Sequence, residues 1–183
     1  MNATSILDQK KIQSLWSGYG SIQRIQVKGS NVSSVILKHV TPPKQEQHPR
    51  GWNSTRSHLR KIKSYQVESA WYQNWAQYCG QACRIPTLYA CHSLENEFLI
   101  LMEDLDASGF SLRKQSFTQC EIQCCIAWLA NFHATFLGQQ PNNLWEYGSY
   151  WHLATRPDEW AVMQDLPLKN AAQWIDQQLN QCT

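Results

Sequence analysis

The stretch Val32-Ser33-Ser34-Val35-Ile36-Leu37-Lys38-His39-Val40 decides how the chain folds. Its β-branched residues suit a pleated strand, and period-2 alternation puts Ile36, Lys38 and Val40 on one face. A lysine amid such an apolar run must find an anionic partner or reach water. Upstream, Ile22 to Val27 is a second strand-forming run. Lys28-Gly29-Ser30-Asn31 has the composition of a turn between the two, and Pro42-Pro43 stops the second strand.

Beyond it, Thr41 to Thr55 is polar and broken by Pro, Gly and Asn, which predicts a surface loop. A long helix is expected from about His58 to Tyr78, where Val67, Trp71, Trp75 and Tyr78 recur at helical intervals before Gly80. Glu68 stands beside that stripe, so a Lys38–Glu68 pair can bridge strand and helix. Leu88 to His92 and Phe98 to Met102 read as a second strand pair around Ser93-Leu94-Glu95-Asn96. The run Leu99-Ile100-Leu101-Met102-Glu103-Asp104-Leu105 ends abruptly in two acids, as suits a crossover with exposed backbone groups. Thr4 to Leu15 is expected to be a short helix, ended by Gly18-Tyr19-Gly20-Ser21. The small residues of that last segment can let backbone N–H groups approach an anion, although Gln23 replaces the third Gly of a full G-x-G-x-x-G pattern.

Past Leu105 the segments become helix-forming. Thr118-Gln119-Cys120-Glu121 is a capping box, and Ile122, Ile126, Leu129, His133 and Phe136 or Leu137 continue a helix to Gly138. A Trp/Tyr-rich loop, Asn142 to Trp151, precedes a final amphipathic stretch, Lys169 to Leu179. The fold class that follows is α+β: an antiparallel sheet with one long helix, then a helical region.

Composition narrows the alternatives. The 183 residues carry 16 Lys+Arg against 14 Asp+Glu, which excludes a binder driven by a strongly basic tail. Nine Trp, seven Tyr and five Phe can build a core. The apolar run Phe98 to Met102 is far below the roughly 20 residues of a membrane span, and the N-terminus has no signal-peptide pattern, so a cytoplasmic setting is expected. Seven cysteines are then read as free thiols.

Other residues bear on competing chemistries. Cys79, Cys83, Cys91 and His92 crowd one segment, but the C-x₃-C spacing straddles a helix end, and no metal site is assigned. Cys120, Cys124 and Cys125 read as core filling on one helix, and His133 as a core residue rather than a general base. The cations Arg50, Arg56, Arg60, Lys61 and Lys63, with Trp52, offer the alternative of an anion or nucleic-acid module. A solvated surface is the stronger reading, and nucleic acid is not the expected partner.

The sequence resembles the kinase-like small-molecule phosphotransferases, the superfamily of choline kinases and aminoglycoside phosphotransferases, and most of all their ecdysteroid kinase-like branch. The resemblance rests on Ser14 to Gly20, Val35 to Lys38, Arg60 to Glu68, Met102 to Leu105 and Trp128 to Ala134. It implies a kinase-like N-terminal lobe over residues 1–102, and a hinge with an incomplete helical lobe over 103–183. It also implies ATP and Mg²⁺ as cofactors and a small-molecule hydroxyl as acceptor, whose identity stays open. In this reading Gly18, Gly20 and Ser21 belong to the phosphate loop, Ile36 faces the adenine, Lys38 meets phosphates with Glu68 as its helix partner, and Met102, Glu103, Asp104 and Leu105 form the hinge.

The departures matter as much. Phosphoryl transfer in kinases needs an Asp at the acceptor hydroxyl and metal-binding Asn and Asp. The family supplies these on a His-Gly-Asp loop and a later Asp-Phe segment. Here no His is followed two positions later by Asp, and no Asp precedes Phe. No catalytic or metal-binding residue is therefore assigned, and two full lobes need roughly 250–350 residues. The expectation is a chain that stops before the catalytic loop, has no phosphotransferase activity alone and at best weak nucleotide affinity, and self-associates through uncovered apolar helix faces.

Overall fold

A computed structural model describes residues 3–43, 55–95, 97–148 and 150–157. The chain forms two compact units, Met1–Leu144 and Trp145–Thr183, and each is described by itself.

Five antiparallel strands form one sheet: β1 (Ser5–Ser14), β2 (Gly20–Lys28), β3 (Ser34–Val40), β4 (Leu88–Leu94) and β5 (Glu97–Glu103), in the spatial order β1-β2-β3-β5-β4. Helix α1 spans Thr55–Asn74 and α2 spans Gln119–Phe136. The fold is therefore α+β, with the sheet and long helix that the strand pattern predicts.

The β2–β3 register sets Gly20 opposite Val40, Ile22 opposite Lys38 and Arg24 opposite Ile36. Alternation then separates two apolar clusters. Ile25, Val27 and Val35, with Val32, Leu37, Tyr89 and Leu101 packed against them, fill one. On the face that carries Lys38, Val40 and Phe98 pack against Tyr19 and against Ile62 and Tyr65 of α1. α1 uses a second stripe as well. Trp71 lies 6.2 Å from Phe132, and Trp75 lies 6.0 Å from Phe136, ring centre to ring centre, which brings α2 against it.

Two expectations are corrected at the N-terminus and on α2. Residues 5–14 form a strand, not a helix. β1 pairs with β2, and Leu7 and Ile12 are each an extra residue in the ladder, between Ile6 and Asp8 and between Lys11 and Gln13. These bulges break strict alternation, so the apolar spacing imitates a helix. Pairing satisfies the backbone groups of the β2 edge, which outweighs the weak local helical signal. On α2, Cys120, Cys124 and Cys125 are exposed rather than core, and so is His133. The packed face of α2 is instead built from Phe132 and Phe136 with Thr135, whose hydroxyl lies 3.8 Å from the buried Cys83 thiol. α2 begins with the expected capping box: the Glu121 N–H donates to Thr118 Oγ1, and the Thr118 N–H donates to Glu121 Oε2.

α1 ends at Asn74 rather than Tyr78, and a 3₁₀ turn over Ala76–Tyr78 completes the expected stretch. In the second unit, His152 caps a 3₁₀ turn, Leu153–Thr155, and Arg156 stacks on Trp151 at 4.6 Å. The amphipathic stretch 169–179, Arg50 and Trp52 lie outside the described residues. Among the described residues no helix is long and apolar enough to cross a membrane.

Candidate functional site

Lys38 sits mid-strand on the face turned to α1, where an unpaired ammonium would be costly. Its Nζ lies 2.7 Å from Glu68 Oε1 and 2.6 Å from Oε2, and 5.3 Å from the centre of the Tyr65 ring. The strand–helix pair expected from the sequence is formed. The Lys38 side chain is only 16% exposed and that of Glu68 31%, so the carboxylate remains the more accessible partner.

The Gly18–Ser21 segment closes the β1–β2 connection. Ser17 and Gly18 both take left-handed backbone angles, with φ of 57° and 74°, and Gly20 has φ of 126°. A Cβ on Gly20 would lie 2.1 Å from the His39 carbonyl oxygen, so the close approach of β2 to β3 requires glycine there. A Cβ on Gly18 meets nothing within 4 Å, which leaves the loop tip open. The Leu15 N–H bonds the Gly20 carbonyl, and the Tyr19 carbonyl accepts from the Thr41 N–H.

At the far end of the sheet, Met102 and Glu103 finish β5 and the chain enters a turn over residues 105–109. The two acids are structural clamps. Arg84 donates to Glu103 Oε1 at 2.5 Å, and the Thr87 N–H donates to Oε2 at 3.0 Å. Asp104, 3% exposed, accepts from Arg24 Nε at 2.6 Å, from Arg24 Nη2 at 3.0 Å and from the Ser34 hydroxyl at 2.7 Å. Arg24 also reaches Asp106 at 2.5 Å, and Arg113 pairs with the other Asp106 oxygen. Burial pushes the Glu103 carboxyl up, but the Ser108 hydroxyl, the Thr87 N–H and Arg84 outweigh it and hold the group down at about 2. Asp104 is likewise raised by burial and lowered more by Arg24 and Ser34, with a net shift downward. Both carboxylates of Met102–Leu105 are thus occupied, and so are the Glu103 N–H, which donates to the Thr87 carbonyl, and the Asp104 and Leu105 carbonyls, which accept from the Ser108 and Phe110 N–H groups.

Ile36, half-buried, shares the Lys38 face and stands between Arg24 and Met102 in the ladder. The Lys38 face of β3 thus runs from Val40, opposite Gly20, past Lys38 and Ile36 to Met102 near the end of β5. Sequence reasoning missed Arg24, Ser34 and Arg84. The hairpin register that sets Arg24 opposite Ile36 would have pointed to the first. Among the described residues, no group of three or more His, Cys, Asp or Glu is placed to hold a metal ion. Glu68, Asp104 and Asp106 are all committed to cations, so these carboxylates of the described residues do not fit Mg²⁺.

A five-stranded antiparallel sheet in this order, with a strand lysine paired to a helix glutamate, is consistent with the N-terminal lobe of a kinase-like protein. The ecdysteroid kinase-like family model matches residues 19–170, and the chain belongs to that family. No curated protein matches the chain significantly.

Proposed function

We propose that this chain binds ATP on the sheet face between the Gly18 loop and the Met102–Leu105 turn, as the nucleotide-binding part of a small-molecule kinase. The observation that carries the reading is the Lys38–Glu68 pair, with both carboxylate oxygens within 2.7 Å of Nζ. Such a pair holds an ammonium at a fixed point where it can also meet phosphate oxygens. Gly18 offers an open loop tip, and Gly20 and Ser21 begin β2 next to it. Ile36 supplies an apolar surface for the base, and the backbone of Met102 to Leu105 lies at its edge.

Membership of the family supports phosphoryl transfer to a small-molecule hydroxyl as the wider activity. With no His-x-Asp and no Asp-Phe in the 183 residues, we expect the chain alone to bind nucleotide without turning it over. Calorimetric titration with Mg·ATP tests the binding. Lys38→Met is expected to weaken it by about ten- to hundredfold, the worth of a charge-assisted hydrogen bond. Equal affinity in wild type and Lys38→Met, or no binding to wild type, contradicts the reading.

A further inference from the structure

On α1, His58, Lys61, Tyr65 and Glu68 follow one another at steps of three and four residues, so they form one stripe. Every member touches either the β1–β2 connection or Lys38. The Tyr19 side chain, 7% exposed, is inserted beneath the loop tip, and its hydroxyl lies 2.6 Å from His58 Nδ1. Its ring lies 6.1 Å from that of Tyr65, which in turn lies beneath the Lys38 ammonium. The Lys61 ammonium sits 4.5 Å from the centre of the Tyr19 ring and donates to the Trp16 carbonyl at 3.2 Å. Among the described residues Lys61 has no carboxylate partner, and burial lowers its pKa. A half-buried cation with no counter-charge among the described residues, bonded to a loop carbonyl, is an uncommon arrangement to keep for stability alone.

We propose that Tyr19 and Lys61 are positioning residues that latch the β1–β2 loop onto α1, so that the loop and the Lys38–Glu68 pair move as one body. The second half of this inference rests on the nucleotide reading above: the latch presets the distance between loop tip and Lys38, and therefore acts on the phosphates rather than on the base. Neither residue need touch the nucleotide. The loop tip carries left-handed Ser17 and Gly18, its ladder bonds, Leu15 N–H to the Gly20 carbonyl and Thr41 N–H to the Tyr19 carbonyl, lie beside the tip rather than at it, and the latch acts on the tip itself.

Amide hydrogen exchange of the nucleotide-free full chain tests the latch without relying on nucleotide binding. Lys61→Met, and Tyr19→Phe, which keeps the ring and removes the hydroxyl, should each speed exchange at residues 16–21 by about tenfold, as loss of one such contact implies. Lys61→Arg should restore protection, and exchange in β3 and β5 should not change. Unchanged loop exchange in both variants overturns the proposal, as does a uniform rise across the sheet, which would mark a general loss of stability. Titration then gives the second readout. Lys61→Met should weaken ATP several-fold and leave adenosine unaltered, whereas equal losses for both overturn the role at the phosphates. Faster loop exchange in a protein whose wild type binds no ATP would sustain the latch and reject the nucleotide reading.

Discussion

Gly20 shows how little freedom single residues of this site have. Its φ of 126° and the His39 carbonyl 2.1 Å from any Cβ leave no room for alanine. Gly20→Ala should cost about 3 kcal/mol or more, since backbone strain and a steric clash act together, and urea unfolding will measure it. Asp104 is constrained by charge. Asp104→Asn leaves Arg24 without its buried partner and should cost about 2 kcal/mol, below the figure for a fully buried pair because Arg24 is a third exposed. The carboxylates also set a pH dependence. Glu103, held at about 2, and Asp104, shifted downward, each lie below their unfolded values near 4. Their contribution is complete above about pH 5 and is lost as pH falls toward 2, because the unfolded chain takes up protons first. Urea midpoints measured across that range should drop, and Glu103→Gln should flatten the slope.

Elements differ in how far local sequence specifies them. β3 and β5 were legible because Val35 and Val40 are nearly fully buried on opposite faces of β3, and on β5 the buried Phe98 and Ile100 alternate with partly exposed neighbours. β1 was not, because no residue in it is buried and two bulges displace Leu7 and Ile12. Only its partner strand makes it a strand. α1 was found through its Trp71/Trp75 stripe, yet the stripe from His58 to Glu68 that faces the candidate site was visible only at Glu68. Two functional faces on one helix blur its amphipathic signal, and Lys61 was grouped with neighbouring cations rather than with Tyr65. α2 was placed correctly by its cap but its exposed and packed faces were exchanged. Cysteine spacing gives no direction, whereas Phe132 and Phe136 meeting α1 does. The cap is a test at this scale. Thr118→Ala should destabilise the helix by about 1 kcal/mol, read as lower helical content on heating.

For the whole molecule, the sheet brings residues 80 positions apart into one network. Arg24 on β2 grips Asp104 beyond β5, and Ser34 at the start of β3 grips the same carboxylate. The sheet's far end is thus tied across three strands, while the near end is held by Tyr19 and Lys61 on α1. A ligand lying along the face between them would touch loop, Lys38, Ile36 and Met102 in turn. That path could not be read from motifs alone, since motifs name residues but register sets them side by side. The most direct test is amide-exchange footprinting of the full chain with and without Mg·ATP. Protection should appear together at residues 17–21, 36–38 and 102–105, and vanish in Lys38→Met. Protection confined elsewhere, or none at saturating nucleotide, would contradict the account.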